Sequence, residues 1–208
     1  MTRSRNSGSD LCALHNCVFN RYLRAWQRTT TVIVILALLH LPIVRAQQPK
    51  VTEYQMKATY LYNFGRFVQW PPKVAAQDNS FPICVLGQDP FGPTLDSTLA
   101  GESLDGKPVA VRRISRAQEV GDCRILFISS TEENHLKQIL AALENALVLT
   151  VSDMPDFSRR GGMIQFVLEG SRVRFEINLA SAEAAKLSLS AELLKVAVTV
   201  RKTGQPGD

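Results

Sequence analysis

Short apolar runs alternate with segments of helical spacing along residues 52–200, and this alternation predicts the fold class. The continuous apolar runs FPICVLG (81–87), CRILFIS (123–129) and ALVLTVSD (146–153) are typical of strands that are buried on both faces. A turn at Asp105-Gly106 leads into a further strand at 109–114. Because strands that alternate with helices favour parallel pairing, we predict an α/β fold. Helices would cover a mainly parallel sheet, as a two-layer or three-layer sandwich with a C-terminal β-hairpin.

The first helix is predicted in TEYQMKATYLYNFGRFVQWPP (52–72). Thr52 and Gln55 match a capping box, and Trp70-Pro71-Pro72 ends the helix. Its apolar residues recur at near-helical spacing: Met56, Tyr60, Leu61, Phe64 and Val68. We interpret the segment as a helix that packs on the core. An aromatic face for a partner or a ligand is the alternative.

Shorter helices are predicted further along the chain. One runs through 95–99, and another follows a capping box that starts at Ser130. The apolar residues of the latter lie on one face: Leu136, Ile139, Leu140 and Leu143. Ser181 and Ser190 are predicted to cap two more helices, the second over AELLKVAVTV (191–200).

A β-hairpin is predicted around Gly170-Ser171, in the run MIQFVLEGSRVRFEIN (163–178). A two-residue turn there fixes which residues face each other, and Gly170 suits the first position of a type II′ turn. The cross-strand pairs on one face are apolar: Leu168–Val173, Phe166–Phe175 and Ile164–Ile177. The pairs on the other face are mostly polar: Glu169–Arg172, Val167–Arg174 and Gln165–Glu176. This division specifies the register.

The N-terminal residues have a different pattern, that of an export signal. Three arginines precede the apolar run TVIVILALL (31–39), and Val44-Arg45-Ala46 are residues that a signal peptidase tolerates. We therefore predict a signal peptide at 1–46, a single domain at 47–203 and a flexible tail at 204–208. Since the region before the apolar run is long, an uncleaved anchor or a misplaced start codon is the alternative.

Removal of residues 1–46 changes the charge of the chain. The whole sequence has 24 basic and 19 acidic residues, a net charge of +5. Residues 1–46 hold six of the basic residues and one of the acidic residues, so the remainder carries 18 of each and is neutral. A nucleic-acid partner is therefore not expected, because such partners require basic surfaces.

Two of the four cysteines, Cys84 and Cys123, lie outside the predicted signal. An even pair in an exported chain is expected to be oxidised, and two buried thiols are the alternative.

The sequence offers little for catalysis. His135 is the single histidine outside the predicted signal, and we interpret it as a solvated helical residue. The chain contains no G-x-S-x-G elbow, no Walker loop and no G-x-G-x-x-G, and oxidised cysteines could not ligate a metal. We predict a protein that is not an enzyme and that has no catalytic residues, metal or cofactor. The scattered carboxylates leave an exported hydrolase as the remote alternative.

A binding site is predicted in the loops that follow the strands. In an open parallel sheet, ligands gather beyond the carboxyl ends of the strands. Those ends carry Gly87-Gln88-Asp89, Ser129-Ser130 and the segment 152–156, which Arg159 and Arg160 follow.

Several runs in the chain resemble the YfiR family of periplasmic proteins, also represented by HmsC. They are KATYLYNFGRFVQWP, FPICVLGQDPFG, CRILFIS, LTVSDMPDFSRRGGMIQFVLEGSRVRFEINLASA and LSLSAELLKVA. The resemblance covers residues 53–200 and is most specific at 150–182. It implies a periplasmic protein that dimerises and represses an inner-membrane GGDEF diguanylate cyclase by binding its periplasmic part. An outer-membrane lipoprotein with an OmpA-like region would sequester the repressor, and release of the cyclase would raise cyclic di-GMP and favour exopolysaccharide and biofilm.

The resemblance also implies that Cys84 and Cys123 are bridged. Some relatives carry a further cysteine pair after the fourth strand, and this chain has none there.

The segment FSRRGG (157–162) is predicted to form one helical turn that ends at a left-handed glycine. Such a turn would aim two arginines away from the hairpin, toward carboxylates of a partner or toward an anionic small molecule. A solvated charge pair is the alternative for the arginines, and the start of the strand suffices to explain the glycines. Asp153 is expected to pair with an arginine in that case. The candidate residues for binding a partner or a ligand are Asp153, Phe157, Arg159, Arg160, Gly161, Gly162, Met163, Arg174 and Asn178.

Two functions follow as hypotheses. The first is repression of a diguanylate cyclase. The second is sensing of a small anion on behalf of a different membrane receptor or sensor kinase.

Overall fold

A computed structural model describes residues 52–72 and 79–202 of the chain. The predicted signal peptide at 1–46 and the predicted tail at 204–208 lie outside the described residues. The α-helices are α1 (Glu53–Phe67), α2 (Pro93–Leu99), α3 (Leu136–Ala142), α4 (Leu179–Ala184) and α5 (Ala191–Val196). The strands are β1 (Val68–Gln69), β2 (Phe81–Leu86), β3 (Ser103–Leu104), β4 (Lys107–Ile114), β5 (Ile125–Ile128), β6 (Leu149–Ser152), β7 (Ile164–Glu169), β8 (Arg172–Asn178), β9 (Ser188–Leu189) and β10 (Thr199–Arg201). Short 3₁₀ helices span Ala117–Glu119 and Ser130–His135.

The main sheet has the strand order β10-β8-β7-β6-β5-β2-β4-β3. Pairing is parallel from β7 through β6, β5 and β2 to β4, and it is also parallel between β8 and β10. Antiparallel pairs join β7 to β8 and β3 to β4. Strands β1 and β9 form a separate antiparallel pair. The predicted α/β fold with a mainly parallel sheet is confirmed.

Helices lie on both faces of this sheet, so the sandwich has three layers. Alternate residues of each strand point to opposite faces. The α1-side core combines residues of the strands with residues of α1, α2 and α5, among them Ile83, Phe127, Phe64, Leu95 and Leu193. The α3-side core combines the alternate strand residues with residues of α3, among them Leu86, Leu126, Leu136, Ile139 and Leu143. Burial on both faces explains the continuous apolar runs of β2, β5 and β6.

Helix α1 packs across the hairpin formed by β7 and β8. The Thr52 side chain accepts a hydrogen bond from the Gln55 N–H and caps the helix, as predicted. The ring of Phe64 is fully buried and lies 5.1 Å from the ring of Phe175 and 5.8 Å from the ring of Phe166. The predicted core-packing helix is therefore confirmed. Met56 was expected on its buried face, but 37% of its surface is exposed.

The hairpin has the predicted register at every pair from Ile164–Ile177 to Glu169–Arg172. Gly170 has a φ of 62°, which the first position of a type II′ turn requires. The alternation of apolar and polar residues was sufficient to fix this register because a slip by one residue would expose the whole apolar face.

Three predicted helix boundaries are wrong. The segment after β5 is capped by Ser129 rather than Ser130 and remains a 3₁₀ helix as far as His135. Helix α4 is capped by Asn178 rather than Ser181, since the Asn178 side chain accepts from the Ser181 N–H. Ser190 caps α5 as predicted, but that helix ends at Val196.

The C-terminal residues 199–201 form the edge strand β10 instead of extending α5. They pair in parallel with residues 176–178 of β8. The β-branched run Val-Thr-Val suits a strand better than a helix, and the open edge of β8 provides its partner.

Cys84 and Cys123 form a disulfide, and their Cα atoms are 5.9 Å apart. Cys84 lies within β2 and Cys123 stands two residues before β5, the neighbouring strand. Both residues are buried in the α3-side core. The expected bridge is confirmed, and it ties two central strands of the sheet together.

Candidate functional site

Asp153 lies at the carboxyl end of β6 and contacts α1. Its Oδ2 accepts a hydrogen bond from Lys57 Nζ at 2.7 Å, and the same Nζ lies 2.6 Å from a carboxylate oxygen of Glu53. Lys57 is buried, with 3% of its surface exposed. Burial opposes the charge of Lys57, but the hydrogen bonds to Asp153 and Glu53 outweigh it, so the net effect raises the Lys57 pKa. Lys57 is therefore a charged residue held between two carboxylates.

Tyr54 completes this cluster. Its ring centroid lies 4.5 Å from Lys57 Nζ, within cation–π distance, and its hydroxyl is 3.4 Å from Asp153 Oδ2. Burial and the nearby Asp153 charge raise the pKa of Tyr54. The other carboxylate oxygen of Asp153, Oδ1, is buried and accepts no hydrogen bond from the described residues. The Asp153 carboxylate thus faces α1, and the expected pairing with Arg159 or Arg160 is not observed.

The segment 157–162 forms the predicted turn. The amides of Arg159 and Arg160 both donate to the Asp156 carbonyl at 2.9 Å, and the Gly162 amide donates to the Phe157 carbonyl at 2.9 Å. Gly161 has a φ of 102°, so it is the glycine with positive φ that ends the turn. Phe157 is fully buried in the α3-side core and anchors the turn.

Gly162 is required by a close approach rather than by its backbone angle. A Cβ atom at Gly162 would lie 2.1 Å from Cε1 of the Phe157 ring. The ring therefore packs directly over the glycine backbone, and this contact fixes where β7 begins. Gly161 is thus required by its positive φ, and Gly162 by the close approach of the Phe157 ring.

Both arginines of the turn contact carboxylates of this chain. Arg159 Nε lies 3.6 Å from Asp156 Oδ1. Arg160 Nη1 donates to Glu133 Oε1 at 3.1 Å, and its Nη2 donates to the Glu133 carbonyl at 3.1 Å. The Arg160 guanidinium therefore joins the turn to the 3₁₀ helix that precedes α3.

A buried polar network joins the same turn to the hairpin. The Ser158 amide donates to Gln165 Oε1 at 3.0 Å, and Asn178 Nδ2 donates to the Ser158 carbonyl at 2.8 Å. The Ser158 hydroxyl donates to Glu176 Oε2 at 2.9 Å. Asn178 also caps α4, so one side chain connects the turn, β8 and the next helix. These contacts place Asn178 in a structural role.

The remaining predicted residues lie apart from the turn's arginines. Met163 is buried in the α1-side core, and its amide donates to Thr150 Oγ1 at 3.2 Å. Arg174 lies on β8, and its Nη2 donates to the Val196 carbonyl at 3.4 Å. The structure thus brings Asp153, Phe157 and the arginine turn to one edge of the sheet, whereas Arg174 belongs to a different surface.

The loop after β2, helix α2 and the carboxyl end of β4 together hold a second group of paired charges. Arg113 Nη2 lies 2.9 Å from Asp89 Oδ2, and the same guanidinium contacts the Asp96 carboxylate. The hydrogen bond from Arg113 lowers the pKa of Asp96, and the two carboxylates raise the pKa of Arg113. Asp89 also accepts from the Phe91 amide at 2.7 Å, which fixes the loop after β2.

A groove lies between the N-terminal half of α1 and the hairpin, with a volume of about 610 Å³. We call it the α1 groove and define it by its lining residues: Thr52, Glu53, Met56, Tyr60, Leu168, Gly170, Ser171, Arg172, Val173 and Arg174. Met56 and Leu168 are exposed apolar side chains on its walls, at 37% and 54%. Nothing in the sequence pattern indicated this groove, because it depends on the packing of α1 over the hairpin.

Residues 52–72 and 79–202 contain no group of three His, Cys, Asp or Glu side chains that could hold a metal ion. Within the same ranges, no helix has the length and apolar character to span a bilayer. His135 is largely exposed, and its Nδ1 lies 3.5 Å from Glu132 Oε2, in agreement with the interpretation of a solvated residue.

Two solved structures resemble this fold. One is a conserved domain protein from Vibrio cholerae O1 biovar El Tor, with a TM-score of 0.52 and 10% sequence identity over 72% of this chain and 60% of that chain. The other is the ABC domain from Streptococcus pneumoniae in complex with L-Trp, with a TM-score of 0.48 and 12% identity over 71% of this chain and 60% of that chain. This chain therefore spans about 60% of the length of each. At 10% identity, the similarity to the first structure concerns the fold alone. The TM-score of the second structure is too low to support a conclusion.

A family model provides the stronger comparison. The model described as YfiR/HmsC-like matches residues 54–198, well over half of the chain. The matched range begins within α1 and ends just before β10, so it includes the Lys57–Asp153 pair, the disulfide, the arginine turn and the hairpin. On this evidence, the protein belongs to the YfiR/HmsC-like family.

Proposed function

We propose that this protein is a periplasmic regulator that binds an inner-membrane GGDEF diguanylate cyclase and represses it. Repression would lower cyclic di-GMP and with it exopolysaccharide and biofilm formation. The observation that carries the proposal is the family match over residues 54–198, because proteins of this family are regulators rather than enzymes. An outer-membrane OmpA-like lipoprotein and a second copy of the chain are further proposed partners.

The disulfide supports export of the chain. Bridges such as Cys84–Cys123 form and persist in oxidising compartments, and the bacterial periplasm is one of them. The signal peptide that would deliver the chain there stays a prediction.

Regulation by contact is favoured over sensing of a small anion. Arg159 and Arg160 would supply the guanidinium groups of an anion sensor, but each already contacts a carboxylate of its own chain. An anion would have to displace Asp156 or Glu133. Calorimetry with periplasmic anions, comparing wild type with Arg159→Ala/Arg160→Ala, tests the sensor directly, and saturable heat that needs the arginines would favour it.

Deletion of the gene tests the proposed repression. We expect deletion to raise cellular cyclic di-GMP, measured by mass spectrometry, and the wild-type gene to restore the lower level. The tagged protein should recover a GGDEF protein from detergent-solubilised membranes. Unchanged cyclic di-GMP after deletion, together with no GGDEF protein in the recovered fraction, would refute the proposal.

A further inference from the structure

The exposed apolar side chains of the described residues gather around one half of β8. Four large ones are exposed: Met56, Leu168, Val196 and Val198. Leu168 pairs with Val173 across the hairpin, and both line the α1 groove with Met56. The Val198 amide donates to the Phe175 carbonyl. This bond continues the parallel pairing of β10 with β8 by one residue before Thr199, where β10 begins. Single exposed apolar residues are ordinary, whereas a convergent group indicates an interaction surface.

The α1 groove also carries arginines without an acidic partner. Arg172 and Arg174 contact no carboxylate among the described residues, and Arg174 donates only to a backbone carbonyl. Arg66 likewise has no carboxylate contact, but six other arginines of the described surface do contact carboxylates: Arg112, Arg113, Arg116, Arg159, Arg160 and Arg201. A guanidinium group forms its strongest contacts with carboxylates. The guanidinium groups of Arg172 and Arg174 beside an apolar groove therefore suit an occupant that carries both acidic and apolar side chains.

The charges of the groove discriminate against a second copy of the chain. Glu53 is the one acidic residue in its lining; it shares Lys57 with Asp153, so these three residues carry one net negative charge. The remaining charged residues of the lining are Arg172 and Arg174, so the groove is positive. Two such grooves placed face to face would bring like charges together, and like charges in an interface disfavour association.

We propose that the α1 groove is the docking surface for an acidic, apolar segment of the membrane cyclase. Apolar side chains of that segment would lie between Met56 and Leu168. Arg172 and Arg174 alternate with Val173 along β8, so their side chains leave the hairpin on the face opposite Leu168, and carboxylates of the segment would contact them at the rim of the groove, along the edge of β8. This inference rests on the proposed function and adds the surface and the chemistry of the partner. An amphipathic helix in a groove is a recurring form of such recognition, and a groove of about 610 Å³ has room for several side chains.

Two variants and two controls test the groove in cells. Leu168→Glu removes the exposed apolar wall, and Arg172→Glu/Arg174→Glu reverses the charge. Gln138→Glu changes the net charge by the same single unit as Leu168→Glu, and Lys137→Glu reverses one charge where the double variant reverses two; both controls lie at exposed positions of α3, on the opposite face of the sheet from the α1 groove. We expect both groove variants to raise cyclic di-GMP toward the level of the deletion strain, and both controls to behave as wild type. Melting temperatures and protein levels must match wild type.

Binding is then measured with the purified periplasmic part of the recovered cyclase as the probe. We expect each groove variant to bind it at least about tenfold more weakly, as loss of a central interface residue does. Wild-type binding should weaken with added salt more than binding by Arg172→Glu/Arg174→Glu does.

The outcomes separate the inference from the proposed function. If deletion raises cyclic di-GMP but both groove variants repress and bind as wild type, the α1 groove is not the docking surface and the proposed function stands. If deletion changes nothing, the proposed function fails and the inference fails with it. If Leu168→Glu converts a dimer into a monomer in sedimentation velocity while binding of the cyclase is unchanged, the occupant is a second copy and the inference is overturned.

Discussion

The Nζ atom of Lys57 lies 2.7 Å from Oδ2 of Asp153, and this contact joins the first turns of α1 to the carboxyl end of β6. The two residues are 96 positions apart in the sequence. Because α1 forms one wall of the α1 groove, the shape of the groove depends on an ion pair at the carboxyl ends of the central strands.

Replacement of Lys57 by methionine should destabilise the fold. Lys57→Met keeps an apolar stem but leaves the carboxylates of Asp153 and Glu53 without their cation. Breaking a buried pair costs about 3 kcal/mol or more. Since Glu53 is 39% exposed and keeps water, most of the loss comes from Asp153. Urea unfolding measures the difference.

The matched control is Lys137→Met on the exposed surface of α3, for which we expect a change below about 0.5 kcal/mol. A Lys57→Met variant as stable as that control would contradict the role of the ion pair. In the double variant Lys57→Met/Asp153→Asn, the loss should be smaller than the sum of the two single losses, because both members of the pair are removed.

The Lys57 pair also predicts a dependence on pH. The net effect of burial and of the hydrogen bonds to Asp153 and Glu53 raises the Lys57 pKa in the folded state. The stabilisation is therefore complete below the unfolded-state pKa of about 10.4 and is lost as the pH rises through the folded-state pKa. We expect the stability difference between wild type and Lys57→Met to stay constant from neutral pH up to about pH 10 and to shrink above it. Paired unfolding curves test this, and a difference that shrinks between pH 7 and pH 9 would be inconsistent with it.

Gly162→Ala should destabilise the protein by about 2 kcal/mol or more. The added Cβ would collide with the Phe157 ring, and that ring cannot move without disturbing the α3-side core. Gly161→Ala introduces a different strain, since φ is 102° there but the nearest atom to its Cβ is 3.5 Å away, and we expect about 1 kcal/mol. Thermal unfolding ranks the two variants. Adding Phe157→Leu should reduce the further cost of Gly162→Ala and should not change the cost of Gly161→Ala. A Gly162→Ala variant with wild-type stability would disprove the close approach.

Reduction of the disulfide should lower the melting temperature. Cys84 and Cys123 are separated by 39 positions, and a loop of that length is worth about 4 kcal/mol in the loop-entropy account. In a domain of this size that corresponds to a decrease of about 10 °C. Thermal melts with and without reductant measure it, and Cys84→Ala/Cys123→Ala provides the control, since its melt should not respond to reductant. No effect of reductant on the wild-type protein would show that the bridge does not stabilise the fold.

The capping role of Asn178 gives a further pair of variants. Asn178→Ala removes the cap of α4 and the buried hydrogen bond to the Ser158 carbonyl, so we expect a loss of about 2–3 kcal/mol. Ser181→Ala should change stability by less than about 0.5 kcal/mol, because the Ser181 side chain does not cap that helix. Chemical unfolding distinguishes them, and the reverse order would restore Ser181 as the cap.

Local patterns were sufficient to predict most of the fold. The hairpin register followed from an alternation that has one solution, and the parallel strands followed from apolar runs that are buried on both faces. The end of α5 was missed because the segment AELLKVAVTV has helical spacing throughout, and only the free edge of β8 draws residues 199–201 into a strand. Ser181 was chosen over Asn178 because both residues can cap a helix and the choice depends on where β8 ends.

The candidate site was less accessible to sequence reasoning. The turn and its positive-φ glycine were predicted, but the partners of its charges were not. Lys57 stands four residues before Leu61 and seven before Phe64, the spacing of the buried face of α1, and a lysine in that register signals a buried ion pair. Its partner Asp153 is distant in sequence, so only the packed structure identifies it. The α1 groove escaped detection for the same reason.

The disulfide and the α1 groove lie on opposite faces of the sheet, and this separation bears on how the protein would respond to reduction of its disulfide. Breaking the bond between Cys84 and Cys123 loosens the layer beneath α3, whereas Met56 and Leu168 stand on the far side of the sheet. We therefore expect reduction of the bridge to govern how long each molecule survives proteolysis rather than how tightly the α1 groove would hold an occupant. Occupancy of the groove would then follow the number of surviving copies.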